Sequence, residues 1–341
     1  MVETFVTKPA LTRALLGLGA LLCLANLPSN IVLAQEIDVP VTVTPIVFNP
    51  SEPSQTTFGD LEWRGGIEIR SEIHRFGGLS GLIIRDNGAH ILGISDVGNW
   101  LTAKLIYSDD RIAGLENVHL APILGTPGEI ISGKYETDSE GIGLGIDGNI
   151  LVSFERYHRI ARYDFDAKRT LARATYLAIP DEAENFEDNK GLEAIGQFPA
   201  GTLLAEKIIV IAERYLDDDS NNSGWLLGEG DQARLQFARV DDFDITALTI
   251  LPDGRLILLE RSFSILFGPA MRLRLVEQAE LLTGSVIEGR ELMRADNRET
   301  IDNMEGLANH ISPEGELLLT LVSDNNFRDF QRTLLMQFAL R

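Results

Sequence analysis

The chain has almost no cysteine, since Cys23 is the only one among 341 residues. Because Cys23 lies in an apolar N-terminal stretch, disulfides, thiolate metal sites and cysteine nucleophiles are excluded from the rest of the chain. Basic residues are also scarce: 30 Lys and Arg stand against 51 Asp and Glu, which gives a net charge of −21. A basic patch for nucleic acid is therefore not expected. Such an acidic surface favours cations or cationic partners.

Several catalytic and cofactor motifs are missing as well. The five histidines form no HxH or HExxH spacing, which argues against a zinc site. No GxSxG elbow is present, so Ser80 in GGLSGL has no histidine or acid placed beside it by sequence. No GxxxxGK[ST] loop and no dinucleotide fingerprint occur either. These absences argue against the commonest nucleophile, zinc and nucleotide chemistries.

The N-terminus reads as a targeting segment. Lys8 and Arg13 supply positive charge, the apolar segment 14–27 follows, and Val32-Leu33-Ala34 offers a small residue before Gln35. This order predicts a secretory signal peptide over residues 1–34, and hence export to the periplasm or the extracellular space. The apolar segment is short for a membrane span, so we expect none after cleavage. An uncleaved anchor and lipidation of Cys23 are the alternatives.

What the sequence contains in abundance is short apolar runs separated by turn residues. Residues 35–60 form a Pro-, Ser- and Thr-rich lead-in with one edge strand, and the alternation begins at Leu61. Glycine in a turn supplies the positive φ of a hairpin. Four glycine turns are Asp86-Asn87-Gly88, Asp147-Gly148-Asn149, Pro252-Asp253-Gly254-Arg255 and Pro313-Glu314-Gly315-Glu316. The pattern predicts an all-β chain.

Five of the apolar runs end in an acidic residue. The five acids are Asp96, Glu155, Glu213, Glu260 and Asp324, at intervals of 59, 58, 47 and 64 residues. Strand-rich repeats of roughly 40–60 residues are typical of a β-propeller, in which equivalent positions meet around one axis. Small residues in the strand that opens each unit suit the crowded centre of such a ring. The repeat therefore predicts a ring of carboxylates at one mouth of a central channel.

The units predict four-stranded antiparallel blades, with five blades favoured and six possible. The last unit is short, whereas the strand-like segment 61–72 precedes the first unit without an inner partner. We predict that this segment completes the last blade and closes the ring, since closure hides two sheet edges. Residues 61–341 would then form a single propeller domain.

The acids admit both a functional and a structural interpretation. Crowded carboxylates must be protonated, paired with arginine or bridged by a metal, and hard oxygen ligands suit Ca²⁺ or Mg²⁺. A second set near the starts of inner strands is Glu140, Glu193 and Glu305, with Ser80 and Thr246 at the matching positions. Alternatively, the Glu-Arg pairs at 155–156, 213–214 and 260–261 are salt bridges between blades. The acidic loop 217–224 matches an EF-hand loop in its first positions but has Gly230 at the twelfth, so we interpret it as a solvated hairpin tip, with a looser calcium loop as the alternative.

The motifs also resemble a known family. GGLSGL, SDxGxW, SFERYHRI, NKGLEA, ITALTILPDGRLILLERSFS, NMEGLA and VSDNNF…QRTLLMQF together are similar to the phytase-like propellers called "esterase-like activity of phytase" proteins. The resemblance spans residues 76–340. It implies a calcium-dependent phosphomonoesterase or esterase, with Ca²⁺ as cofactor. By the same resemblance the metal-binding acids are Asp96, Glu140, Glu155, Glu193, Glu213, Glu260, Glu305 and Asp324, and the phosphate-binding cations are Arg156, Lys190, Arg214 and Arg261.

Three functions follow as hypotheses. The first is an exported, Ca²⁺-dependent hydrolase of phosphoric esters, in which a metal-activated water attacks phosphorus and the arginines stabilise the developing charge. The second is a non-enzymatic envelope propeller that binds a small ligand or a partner protein. The third is a lactonase- or carboxylesterase-type propeller with one channel calcium. For the enzymes we expect a monomer acting on a small molecule, phosphorylated in the first hypothesis.

Overall fold

In the computed structural model, which describes residues 35–341, five antiparallel sheets surround one axis. The N-terminal strands are β1 (Ile37–Asp38), β2 (Thr42–Pro45), β3 (Thr57–Phe58) and β4 (Leu61–Arg70). Blade 1 contains β5 (Leu79–Arg85), β6 (His90–Ser95), β7 (Asn99–Ser108) and β8 (Arg111–Pro122). Blade 2 contains β9 (Ser139–Leu144), β10 (Ile150–Phe154), β11 (Arg159–Tyr163) and β12 (Thr175–Leu177).

The other three blades repeat this order. Blade 3 contains β13 (Leu192–Gln197), β14 (Ile208–Leu216), β15 (Asn222–Leu227) and β16 (Gln232–Phe237). Blade 4 contains β17 (Asp244–Ile250), β18 (Leu256–Ser264), β19 (Gly268–Val276) and β20 (Arg290–Ala295). Blade 5 begins with β21 (Asn303–Ile311), β22 (Leu317–Asp324) and β23 (Thr333–Leu340).

Helices are short and lie between strands. The α-helices are α1 (Lys134–Thr137) and α2 (Phe165–Lys168). The 3₁₀ turns are Asp86–Gly88, Ile146–Gly148, Arg169–Leu171, Asp181–Asn185 and Glu280–Leu282. Within residues 35–341 no helix has the length and apolar character needed to cross a membrane. The predicted signal peptide lies outside the described residues.

The first strand of each blade lines the channel. The inner strands β5, β9, β13, β17 and β21 contact one another in that order, and β21 returns to β5. Their small residues allow this approach: a Cβ on Gly141 of β9 would overlap the carbonyl oxygen of Glu193 on β13. The predicted five-bladed propeller is therefore confirmed, with glycine where neighbouring inner strands come closest.

The ring closes through the N-terminal strand, as predicted. Strand β4 pairs antiparallel with β23, from Leu61 opposite Leu340 to Ile69 opposite Thr333, and so becomes the fourth strand of blade 5. Residues 35–60 contribute three short strands rather than the single edge strand expected. Strand β1 extends blade 1 beyond β8, while β2 and β3 both pair with β4. These additions cover outer edges that would otherwise expose unpaired backbone groups.

The predicted glycine turns join the first and second strands of four blades. Gly88, Gly148, Gly254 and Gly315 all have positive φ, between 74° and 99°. Five apolar clusters then fill the interfaces between neighbouring blades. Trp100 and Trp225 are fully buried in two of them, so both tryptophans serve blade packing. This packing between blades fixes the positions of the inner strands relative to one another. The acids lie at one end of these strands.

Candidate functional site

A β-bulge interrupts the pairing of the first two strands in every blade. In blade 2 the pairing jumps from Ser139 opposite Phe154 to Gly141 opposite Ser153, which leaves Glu140 unpaired. The bulged residues of the five blades are Ser80, Glu140, Glu193, Thr246 and Glu305. A bulge redirects a side chain out of the normal alternation. The structure therefore places the second acid set and its two hydroxyl replacements at equivalent positions.

A second ring of side chains lies at or just after the end of the second strand in blades 1, 2 and 5 and within that strand in blades 3 and 4. Asp96, Glu155 and Glu213 each donate their backbone N–H to the carbonyl oxygen of the residue two positions before the bulge. Arg261 and Asp324 pair with the corresponding residues of blades 4 and 5. The five equivalent residues are thus Asp96, Glu155, Glu213, Arg261 and Asp324. Blade 4 contributes an arginine to the ring, not the expected Glu260.

Glu260 belongs to the blade interior, which corrects its assignment to the carboxylate ring. It precedes the ring position by one residue, and neighbouring residues of a strand point to opposite faces. Its Oε2 accepts a 2.6 Å hydrogen bond from Nε of Arg272, and its Oε1 accepts a 2.5 Å bond from Nη2 of Arg274. All three side chains are buried. Glu260 is therefore a structural ion-pair residue.

Three carboxylates of blade 2 come close enough to share one cation. Asp138, Glu140 and Glu155 each offer an oxygen, and these oxygens lie within 4.8 Å of one another. Two ligands on opposite sides of a Ca²⁺ ion are separated by about twice the 2.3–2.6 Å bond length, so this spacing fits a single ion. Asp138 was not among the predicted residues. The available signal was its position two residues before the repeated Glu140.

Burial and mutual repulsion raise the pKa of the acids around the mouth. Burial, together with the charges of Glu193 and Asp138, raises the pKa of Glu140 well above its usual range. Burial raises the pKa of Glu155 to about 8, although Glu155 accepts a 2.5 Å bond from the Gly191 N–H. Burial likewise raises the pKa of Glu305 to about 7 and that of Asp324 to about 7. Without a cation, several of these groups would hold protons near neutral pH.

Cations compensate only part of this charge. Arg261 lies 3.2 Å from oxygens of both Glu213 and Glu305, and so joins blades 3, 4 and 5. Lys134 of α1 contacts Asp138 and lies 2.8 Å from Oδ2 of Asp96. Within residues 35–341, the eight acids of the mouth are Asp96, Asp138, Glu140, Glu155, Glu193, Glu213, Glu305 and Asp324. Their direct partners are Lys134, Arg156 and Arg261, so the acids outnumber their direct cationic partners by eight to three.

The remaining predicted cations are placed differently from the sequence expectation. Arg156 donates from Nε to Oδ2 of Asp138 at 2.5 Å, whereas Arg214 donates to Oδ2 of Asp244 in the next blade at 2.7 Å. Neither arginine is paired with the glutamate that precedes it. Lys190 lies 2.6 Å from Glu187 at the surface. Arg214 and Arg261 therefore link neighbouring blades, whereas Arg156 contacts an acid of the mouth within its own blade.

Most of the chain matches the model of one protein family. The model of the Phytase-like family, described as "Esterase-like activity of phytase", matches residues 74–327. The chain belongs to this family. The match covers most of this phytase-like propeller, including all five inner strands and both rings of side chains. No curated protein sequence matches the chain.

Solved structures of low sequence identity also match the chain. A protein described as a gluconolactonase is 14% identical, with 89% of this chain and 96% of that chain covered and a TM-score of 0.43. The virginiamycin B lyase of Staphylococcus aureus is 9% identical over 89% and 100% of the two chains, with a TM-score of 0.41. The PQQ-bound aldose sugar dehydrogenase of Streptomyces coelicolor is 13% identical over 88% and 98%, with a TM-score of 0.38. At these scores, the likenesses carry no functional conclusion.

Other candidate residues have local structural roles. In the loop 217–224, Oδ1 of Asp217 accepts bonds from the N–H groups of Asp219 and Asn221, as in a self-closed hairpin tip. Ser80 donates its hydroxyl to the carbonyl oxygen of Ser139 in the neighbouring blade. Burial lowers the pKa of His310 to about 4, so this histidine stays neutral in the ordinary pH range. None of these groups is arranged as a nucleophile–base pair.

Gly78 shapes the mouth on the blade 1 side. Its φ is +62°, and a Cβ on it would overlap Oδ1 of Asp96. We expect Gly78→Ala to displace the Asp96 carboxylate and to cost about 1–3 kcal/mol, because strain at positive φ adds to the clash. Thermal unfolding should show the loss, and calcium titration should show weaker binding. Unchanged affinity in a destabilised variant would mean that Asp96 takes no part in the cation site.

Proposed function

We propose that this phytase-like propeller is an exported Ca²⁺-dependent hydrolase of phosphoric esters that acts at the acidic mouth of its channel. The observation that supports it most directly is the cluster of Asp138, Glu140 and Glu155. Family membership supports the hydrolase class, and the predicted signal peptide supports export. The specific cation and the phosphate bond are our inference from the chemistry of the side chains.

The residues of the mouth fit a calcium ion. Ca²⁺ prefers six to eight oxygen ligands in a flexible geometry, and every donor in the cluster is a carboxylate oxygen. Oδ1 of Asp96 is buried without a hydrogen-bond partner among the described residues, so it remains available as a ligand. Metal binding replaces protons on its ligands, and the acids here have a raised pKa. Asp138, Glu140 and Glu155 would hold the ion, and Asp96 would be a further ligand from the blade 1 side.

The chain's own residues would position the phosphate. A bound Ca²⁺ would supply positive charge for the phosphate and a water of lowered pKa. Arg156 is held through its Nε by Asp138, an acid of the mouth, while about a third of its side chain is exposed. Arg214 is held by Asp244 through both its Nε and its Nη2. Such fixed guanidinium groups bind phosphate oxygens and stabilise charge that develops on them.

Neutralising the cluster should remove both binding and activity. We expect Asp138→Asn and Glu140→Gln to weaken Ca²⁺ binding by more than about 100-fold, since even outer-shell changes cost 10–100-fold. Phosphate release from p-nitrophenyl phosphate should fall in parallel. Asp147→Asn is the matched control, because Asp147 lies in the turn after β9 at the other end of the same strand. Calorimetry and a phosphate assay, each with calcium or chelator, measure the two effects.

The outcomes separate the three functions. No calcium binding and no phosphate release from p-nitrophenyl phosphate or phytate would reject the proposal. Calcium-dependent hydrolysis of a lactone or carboxylic ester, without phosphate release, would select the lactonase-type alternative. Stability and ligand binding that do not respond to chelator would select the non-enzymatic propeller. The inter-blade contacts of Arg214 and Arg261 would then have only their structural role.

A further inference from the structure

A cavity of about 620 Å³ opens beside the acidic mouth, over blades 3, 4 and 5. Glu213 and Arg261 of the second ring line it, as do Asp244 and Asn303 from the positions two residues before the bulges. The cavity is therefore continuous with the candidate site. Its outer parts come from the loop between β20 and β21 and from the loop between β22 and β23.

The cavity has an apolar side as well as a polar one. Phe263 of the β18–β19 hairpin and Phe330 of the β22–β23 loop line it, and each is 76% exposed. Pro269, Ala270 and Ile301 add further apolar surface. Large aromatic side chains that remain exposed at the rim of a cavity are typical of ligand-binding sites. The cavity thus offers aromatic contacts next to a charged channel mouth.

Its charges are balanced. The four arginines that line it are Arg214, Arg261, Arg328 and Arg332, and the four acids are Glu213, Asp244, Glu299 and Asp302. Three of these arginines already contact acids of the cavity, as in the Arg332–Asp302 pair at 3.3 Å. Arg328 instead lies over the ring of Phe330, 5.7 Å from its centroid. A ligand with many phosphates would find too few arginines here that lack an acidic partner. An apolar group does not need such arginines.

We propose that this cavity binds the aromatic or otherwise apolar organic part of a phosphoric monoester whose single phosphate lies at the channel mouth. The inference rests on the proposed function and specifies its substrate class. It predicts a preference for aryl monoesters over polar ones such as glycerol phosphate, and over polyphosphates such as phytate. Phe263 and Phe330 are the residues that determine this specificity.

The β18–β19 hairpin offers a matched pair of variants. Phe263 lines the cavity, whereas Phe267 does not, although the two are similarly exposed at 76% and 72%. We expect Phe263→Ser to weaken 1-naphthyl phosphate binding by about 5–10-fold, the scale of one aromatic contact. Phe267→Ser should leave that binding unchanged. Calorimetry in calcium buffer measures the affinities, thermal unfolding verifies the fold, and Phe330→Ser provides a second test from another loop.

Two further probes separate this inference from the proposed function. Inorganic phosphate should bind all variants equally, and 1-naphthol should lose affinity only in the Phe263 and Phe330 variants. If naphthol shows this selectivity but no phosphate binds and no phosphate is released, the cavity assignment stands and the phosphatase fails. If phosphate binds but naphthyl phosphate affinity is equal in all four proteins, the cavity assignment is overturned. Equal losses in the Phe263 and Phe267 variants, or equal kcat/KM for aryl phosphate and phytate, would also overturn it.

Discussion

In the absence of divalent cations, the free energy of unfolding should fall as the pH rises from about 5 to 9. Burial and neighbouring acids raise the pKa of Glu155 to about 8 in the folded chain, against 4.5 in its ordinary state. The folded state therefore binds more protons than the unfolded state between these two values. Stability must then decrease with pH, because deprotonation leaves uncompensated charge in the mouth. Glu305 and Asp324, both with a pKa raised to about 7, act in the same direction.

The expected effect is large. One pKa unit corresponds to about 1.4 kcal/mol, so the coupled titration of Glu155 and its neighbouring acids would account for on the order of 4 kcal/mol by pH 9. Calcium should restore stability by about 2.7 kcal/mol at a concentration 100 times its dissociation constant. The restoring effect should grow with pH, since the cation competes with fewer protons. Thermal unfolding between pH 5 and 9, in chelator and in calcium, gives both curves.

A matched variant identifies the source of this pH dependence. Glu155→Gln removes the titrating group while its side chain can still accept the Gly191 N–H, so the slope in chelator should become shallower. Asp147→Asn should leave the slope as it is. A thermal unfolding midpoint that rises with pH in chelator would contradict the raised pKa values of the acids at the mouth.

Much of the fold was accessible from the sequence because its signals are local. The glycine turns at Gly88 and Gly254 depend on backbone conformation within a few residues. The closing strand β4 could be predicted because blade 5 lacked one strand while residues 61–72 had no partner. The acids at Glu140 and Glu193 were found because their spacing from the turns repeats. In each case a pattern visible in the sequence corresponds directly to a position in the folded ring.

The strand register of blade 4 could not be predicted from the sequence pattern. LILLE followed by arginine resembles the segments that end at Glu155 and Glu213. In the strand pairing, however, Arg261 occupies the ring position and Glu260 precedes it by one residue. A shift of one residue turns a side chain to the opposite face of the strand. The sequence alone does not show which residues of two adjacent strands are paired. Asp138 and Lys134 were missed because neither repeats in most blades. The cavity beside the mouth combines loops that approach one another only after the ring has closed.

Glu260→Ala should be among the most destabilising substitutions in the chain. Glu260 is 0% exposed, and its two oxygens are held by Arg272 and Arg274, themselves buried. Removing one member of a buried ion pair leaves charge without a partner and costs about 3–5 kcal/mol. Urea unfolding should show this loss in calcium and in chelator alike. The midpoint shift should be similar in both media, since Glu260 lies outside the carboxylate ring.

A compensated variant distinguishes a structural role from metal binding. Replacing Glu260, Arg272 and Arg274 together by Met or Leu removes all three buried charges, and such replacements are often neutral or stabilising. Arg274 also donates to the carbonyl oxygens of Ala238 and Glu288, so Arg274→Met leaves each of those acceptors with one bond fewer. We therefore expect the triple variant to recover most of the stability lost in Glu260→Ala and to bind calcium normally. Weak calcium binding in a stable triple variant would return Glu260 to the cation site.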